Sequence, residues 1–209
     1  MAQTPRKKHR FSTSSPCLYT LRIELQPDEL HPLIWRRLAV DGRVSLAKLH
    51  HFIQAAFGWT DSHLHHFVVG DREFGKPSPE DVLYDRNIED ERKAFLNRLV
   101  ATGQSFVYTY DFGDDWRHLV IVEAVDHEPN TDPQGGATVT AGARACPPED
   151  VGGTPGYLDF LDTLQNEPDS DEAEDLLAWV GGPFDPELFD RRAANAAILR
   201  IMWNHWGGK

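Results

Sequence analysis

The chain has 209 residues, of which 40% are hydrophobic and 11% aromatic, and a formal net charge of −12. That is globular composition, enough for one substantial core, and it excludes a disordered chain. No apolar run approaches membrane-spanning length, and an acidic balance argues against a broad nucleic-acid-binding face, which needs clustered Lys and Arg.

The charge is unevenly spread. Residues 1–16 hold Arg6, Lys7, Lys8 and Arg10 and no acid. This stretch, basic and then rich in Ser and Thr, reads as a disordered tail ahead of one domain over 17–209. Its start lacks the apolar stretch of a secretory signal. The two cysteines, Cys17 and Cys146, form no C-x-x-C pair. Together these features suit a reducing cytoplasm with neither a disulfide framework nor a zinc ribbon.

From Cys17 to Leu25 apolar and polar residues alternate, with Tyr19, Leu21, Ile23 and Leu25 on one face, which predicts a strand. Ile34 to Val40 reads as its hairpin partner. Ser45 then caps a helix whose stripe is Leu46, Leu49, His50, Ile53, Ala56 and Phe57, and Gly58 ends it. His63 to Val69 reads as a strand with His63, His65 and Phe67 on one face. Gly75 to Pro79 reads as loop, Asp81 to Asn87 as a short edge strand, and Glu91 to Thr102 as a helix.

Two alternating runs, Phe106 to Tyr110 and His118 to Glu123, flank a Gly/Asp segment and predict a hairpin with its turn over Gly113–Trp116. Asp126 to Ala145 reads as a long loop. The Pro- and Gly-rich run from Cys146 to Tyr157 predicts fixed irregular backbone. Three helices follow: Gly156 to Gln165, Asp171 to Val180 behind a Ser170 cap, and Pro186 to Trp203, interrupted near Asp190. Strands first and helices last give an α+β class, a mainly antiparallel sheet with helices on one face and a helical C-terminal part.

The densest chemistry lies in Tyr110-Asp111-Phe112-Gly113-Asp114-Asp115-Trp116-Arg117-His118. On one reading the aspartates only shape the turn through side-chain bonds to backbone. On the other, Asp111, Asp114 and His118 join His63 and His65 in a divalent-metal site for zinc, manganese or iron, with Glu149 and Asp150 brought in from the Pro/Gly loop. A third possibility pairs Arg36, Arg37 and Arg117 with these carboxylates in a structural ion-pair network. Trp35, Trp116 and Tyr157 beside the polar motifs suit a ligand cleft or peptide groove, and the acidic body favours a protein or peptide partner. His50, on the apolar stripe, reads as a core histidine. No serine sits among several arginines, as a serine-nucleophile recombinase requires.

Several segments carry a resemblance. They are Pro32-Leu33-Ile34-Trp35-Arg36-Arg37, Leu49-His50, and the run from Phe57 to His65. They continue with Tyr110 to His118, Cys146 to Asp150, Gly152-Gly153, Gly156-Tyr157 and Phe184-Asp185-Pro186. In this order, from about Tyr19 to Asn195, they resemble the plasmid pRiA4b ORF-3-like family. The resemblance implies a protein from plasmids, mobile-element neighbourhoods or chromosomes, mostly of unknown function, with some members labelled as transposon-associated resolvases. The family pattern commonly has a second cysteine where this chain has Val151. The expectation is a binding or accessory module using a cleft of Trp35, Arg36, His63, His65, Asp111, Asp114, Trp116, His118, Glu149, Asp150 and Tyr157. The alternative is a metal-assisted hydrolase or nuclease.

Overall fold

The structure, a computed structural model, describes residues 16–26, 30–79, 81, 86–130 and 136–206. The expected basic tail, except for Pro16, and most of the expected Asp81–Asn87 strand lie outside these residues. The described strands are β1 (Leu18–Leu25), β2 (Trp35–Asp41), β3 (His65–Val69), β4 (Arg72–Gly75), β5 (Ile88–Asp90), β6 (Ser105–Tyr110), β7 (Trp116–Asp126) and β8 (Ala137–Ala143). They form one sheet in the order β5-β4-β3-β6-β7-β1-β2-β8, antiparallel throughout except for the β4–β5 pair. The helices are α1 (Leu46–Phe57), the short α2 (Leu96–Leu99), α3 (Gly153–Asn166), α4 (Asp171–Trp179) and α5 (Arg191–Trp203). The class is α+β with a helical C-terminal part, as the order of patterns predicts. Among the described residues no helix is long and apolar enough to cross a membrane.

Period-two burial explains the layering. Leu21, Ile23 and Leu25 of β1, Leu38 and Val40 of β2, and Val120 and Val122 of β7 are buried, while Arg22, Glu24, Arg37 and Glu123 face the uncovered side. Helix α1 lies on the buried side, where Leu46, Leu49, Phe52 and Ile53 are fully enclosed. Its ends follow the sequence: Ser45 accepts from the Lys48 amide, and Gly58 adopts a left-handed φ of 97° that only glycine takes without strain. Helix α5 begins after Asp190, whose carboxylate accepts from the Arg192 and Ala193 amides, so the expected interruption is in fact the cap. From α5, Asn195 reaches β8 at the sheet edge. Its Oδ1 accepts the Val139 amide at 2.9 Å and its Nδ2 donates to the Val139 carbonyl at 3.0 Å.

Three local expectations change. The loop expected over Asp126–Ala145 contains β8; its Ala-Thr-Val-Thr-Ala-Gly-Ala sequence buries only Val139, so it lacks the apolar alternation of an inner strand. The helix expected over Glu91–Thr102 is a 3₁₀ turn at Glu91–Lys93 followed by α2, because Phe95 is extended. There the Leu46 amide donates to the Ala94 carbonyl and the Leu96 amide to the Val44 carbonyl, so backbone pairing with the segment entering α1 overrides helix propensity. The hairpin turn is also displaced: Trp116 pairs with Tyr110 across the ladder, and the connection is Asp111–Asp115.

The start of α3 is held by close approach. A β-carbon on Gly156 would lie 1.9 Å from the Val151 carbonyl oxygen, and one on Gly153 2.8 Å from the Asp114 carbonyl. Replacing Gly156 by Ala is therefore expected to lower the unfolding free energy by about 3 kcal/mol, since backbone must move to make room. Urea denaturation checks this; a midpoint equal to that of the parent would show that the loop yields at no cost.

Candidate functional site

The site is built where the turn after α1, the β6–β7 turn and the Pro/Gly loop before α3 meet. Asp111 holds a left-handed φ of 54°. Its Oδ1 accepts the Gly113 amide at 2.9 Å and lies 3.4 Å from the Asp114 amide, so it shapes the turn. Its Oδ2 faces outward, 3.7 Å from His63 Nε2. One carboxylate thus serves both the structural and the chemical reading.

His63 precedes β3 rather than belonging to it, so it does not share a strand face with His65. Its Nε2 stands 3.0 Å from Asp150 Oδ1, 3.7 Å from Asp111 Oδ2 and 3.8 Å from Glu149 Oε2. This nitrogen is shielded from solvent yet has no hydrogen-bond partner, because even the nearby Asp150 lies outside hydrogen-bond geometry. Glu149 Oε1 clamps the turn, accepting from the Thr60 amide at 2.7 Å, the Thr60 hydroxyl at 3.0 Å and the Tyr110 hydroxyl at 3.1 Å. Burial, reinforced by that carboxylate, raises the Tyr110 phenol well above its ordinary pKa, so it stays a donor at neutral pH. Asp150 is 68% exposed and opens the cluster to solvent.

The other sequence candidates are placed elsewhere. His65 is buried, donates from Nε2 to Glu91 Oε2 at 2.9 Å, and stacks flat on His50 with ring centroids 3.5 Å apart. His118 is fully buried beside Phe57 and Trp59, with Nδ1 donating to the Tyr108 carbonyl at 3.2 Å. Burial lowers its pKa to about 3, so it is a neutral core histidine. Asp114 turns to α3, where its Oδ2 accepts the Gly152 amide at 3.2 Å, so a carboxylate of the chain itself sits at that helix start. Trp116 and Tyr157 are buried in the core. Trp35 lies on the uncovered face of the sheet under the Arg22 guanidinium, 4.2 Å from its ring.

The expected arginine–carboxylate network is not the one formed. Arg36 is buried and donates to four carbonyls: Ala56 and Trp35 at 2.8 Å, Ala143 at 2.8 Å and Arg144 at 2.9 Å. Arg37 pairs with Glu123 and Arg117 with Asp115, both on the surface. No arginine reaches Asp111, Glu149 or Asp150 among the described residues.

Sequence reading missed a closed ring of hydrogen bonds that fixes the turn presenting His63. Gln54 Nε2 donates to the Tyr108 hydroxyl at 3.0 Å, and Tyr108 lies 2.8 Å from His50 Nδ1. His50 Nε2 lies 2.8 Å from Asp61 Oδ1, and the Asp61 amide donates to Gln54 Oε1 at 3.0 Å. The hydroxyl receives the Gln54 proton and so gives its own to Nδ1, which leaves the His50 N–H on Nε2, aimed at Asp61. Burial lowers His50 to about 4; burial also pushes Asp61 up, but the bond from His50 together with the charges of His50, His51 and Lys76 outweighs it and holds Asp61 below the usual carboxylate range. Two polar residues on or beside the apolar stripe of α1, His50 and Gln54, are the trace of this ring in the sequence.

A family model for plasmid pRiA4b ORF-3-like proteins matches residues 18–193. The chain belongs to the plasmid pRiA4b ORF-3-like family. The uncharacterized protein y4hQ of Sinorhizobium fredii is 36% identical over 180 residues, covering 86% of this chain and 88% of that relative. A crystal structure of a protein of unknown function, MM3350 from Methanosarcina mazei Go1, superposes with a TM-score of 0.74 at 32% identity. It covers 87% of this chain and 98% of that one. Of this pRiA4b ORF-3-like chain, the matched region includes every residue of the His63 cluster.

Proposed function

We propose that this protein is a binding module whose cleft holds a divalent metal on His63, Asp111 and Asp150, with Glu149 beside them. The observation that carries the reading is the position of His63 Nε2, without a hydrogen bond, amid three carboxylates. Ligand atoms about 2.1 Å from a tetrahedral ion lie roughly 3.4 Å apart. The distances from Nε2, 3.0 to 3.8 Å, bracket that spacing. One imidazole with carboxylates suits manganese, zinc or iron rather than a thiolate-seeking ion. The free thiols Cys17 and Cys146 accord with a reducing cytoplasm. The acidic body keeps a protein or peptide partner ahead of nucleic acid. A second reading, metal-assisted hydrolysis, is favoured by the exposure of Asp150, which leaves room for water on the ion.

Chelator-treated protein titrated with Mn²⁺ or Zn²⁺ in a calorimeter tests the site. The expected result is one ion per chain, with affinity reduced by about 100-fold in His63→Ala and in Asp150→Asn. Asp150 contributes no bond to the fold among the described residues beyond its approach to His63, so its variant should melt like the metal-free parent. Unchanged affinity in both variants, or no binding by the parent, would count against the assignment.

A further inference from the structure

Beside the His63 cluster a cavity of about 420 Å³ opens between β3, β5 and the segment after β4. Its polar lining is His63, His65, His66, Lys76, Ser78 and Arg86, with Asp81 at one side. Its charged groups are the cations Lys76 and Arg86 and the single carboxylate Asp81, a local cationic excess in a chain with a net charge of −12.

Arg86 faces two carboxylates without bonding either, unlike three other surface arginines. Arg37, Arg72 and Arg92 hold carboxylates at 2.7, 2.6 and 2.9 Å. Arg86 stands 3.9 Å from Glu73 and 3.8 Å from Asp81, beyond hydrogen-bond reach of either. The Asp81 Oδ2 is instead occupied by the Ser78 amide and hydroxyl, at 2.7 and 3.0 Å. Among the described residues the guanidinium donors of Arg86 are therefore left for another acceptor. A second unsatisfied group sits in the same wall: His66 Nδ1 is shielded from solvent and has no hydrogen-bond partner.

The rim is apolar and exposed. Leu64 is 66% and Phe112 46% exposed, and Phe112 tilts over His66 with ring centroids 5.2 Å apart. A guanidinium with unused donors suits a tetrahedral oxyanion, which accepts several N–H bonds at once, and an exposed aromatic rim suits an apolar group attached to it.

We infer that this cavity binds a small phosphate monoester, its phosphoryl group on Arg86, Lys76 and His66 and its organic part against Phe112 and Leu64, next to the ion on His63. The inference deepens the metal-binding reading and names its ligand class.

Calorimetric titration of the whole protein with phenyl phosphate and with inorganic phosphate, each with and without saturating Mn²⁺, tests it. Phenyl phosphate should bind the Mn²⁺-loaded protein, and Arg86→Gln should weaken it at least about tenfold while leaving the Mn²⁺ affinity as in the parent. Phe112→Ala should weaken phenyl phosphate but not inorganic phosphate. Mn²⁺ bound with no binding of either phosphate, or phosphate binding indifferent to Arg86→Gln, would overturn the ligand assignment and leave the metal site standing. Arg86-dependent phosphate binding without any Mn²⁺ binding would uphold the cavity's ligand class and remove the metal. No binding of ion or phosphate would overturn both.

Discussion

Replacing Arg36 by Met is expected to lower the unfolding free energy by at least about 4 kcal/mol. The guanidinium is buried and donates to the carbonyls of Ala56, Trp35, Ala143 and Arg144. Those four oxygens come from the end of α1, the start of β2 and the end of β8, so one side chain joins three elements at their least regular points. Its plane also lies over Phe57 at 4.9 Å and Phe189 at 4.0 Å. Burial lowers its pKa to about 10, which still leaves it charged at neutral pH. Met fills much of the volume but leaves the carbonyls without donors, each at a cost of about 1–3 kcal/mol. Lys keeps the charge but lacks the planar fork that reaches divergent oxygens, so Arg36→Lys should restore only a minor part. Urea denaturation followed by tryptophan fluorescence measures both; a Met variant within about 1 kcal/mol of the parent would refute the role.

The second large effect is acid destabilisation set by two buried histidines. His50 titrates at about 4 and His118 at about 3 in the folded protein, both below the ordinary 6.5, chiefly through burial. A depressed histidine pKa means that the unfolded chain takes up the proton first. The stability that neutral His50 and His118 contribute is therefore complete above about pH 6.5 and is lost as pH falls from there toward 4 and 3. One pKa unit corresponds to about 1.4 kcal/mol, so each histidine accounts for several kcal/mol over that window, on the order of 3 or more. Asp61, held low by His50, adds its own loss only in the carboxylate range below. Unfolding free energies measured by urea at a series of pH values from 8 to 4 should fall steadily below about pH 6.5. Asn at position 118 can still donate to the Tyr108 carbonyl but does not titrate. His118→Asn should therefore flatten the slope even if it lowers the whole curve. Parallel slopes in parent and variant would exclude His118 as a source.

The parts of this fold that can be read from sequence are those whose own residues decide them. Helix α1 carries its stripe and both caps within fourteen residues, Ser45 to Gly58, and the β1–β2 and β6–β7 hairpins carry their alternation. What eludes reading is decided by distant neighbours. Strand β8 exists because β2 and Asn195 offer it backbone partners, not because its residues favour a strand. Phe95 is extended because Val44 and Leu46 pair around it. The site shows the same division. Asp111, Glu149 and Asp150 attract notice by type, and His63 by its place among histidines, but their meeting joins segments 48 and 39 residues apart. Arg36 announces a charge and gives no sign that its partners are carbonyls. Asp114 announces a carboxylate and gives no sign that its partner is the amide of Gly152, the residue that caps α3.

The bond pair between Asn195 and Val139 has a consequence for the behaviour of the protein in a crowded cell. β8 is the terminal strand of an eight-stranded sheet, and a terminal strand invites a foreign backbone to zip onto it. The Asn195 amide presents one acceptor and one donor to Val139, as a neighbouring residue of another strand would. The edge is thus capped from within by a helix, and polymerisation through that margin is closed off at its midpoint.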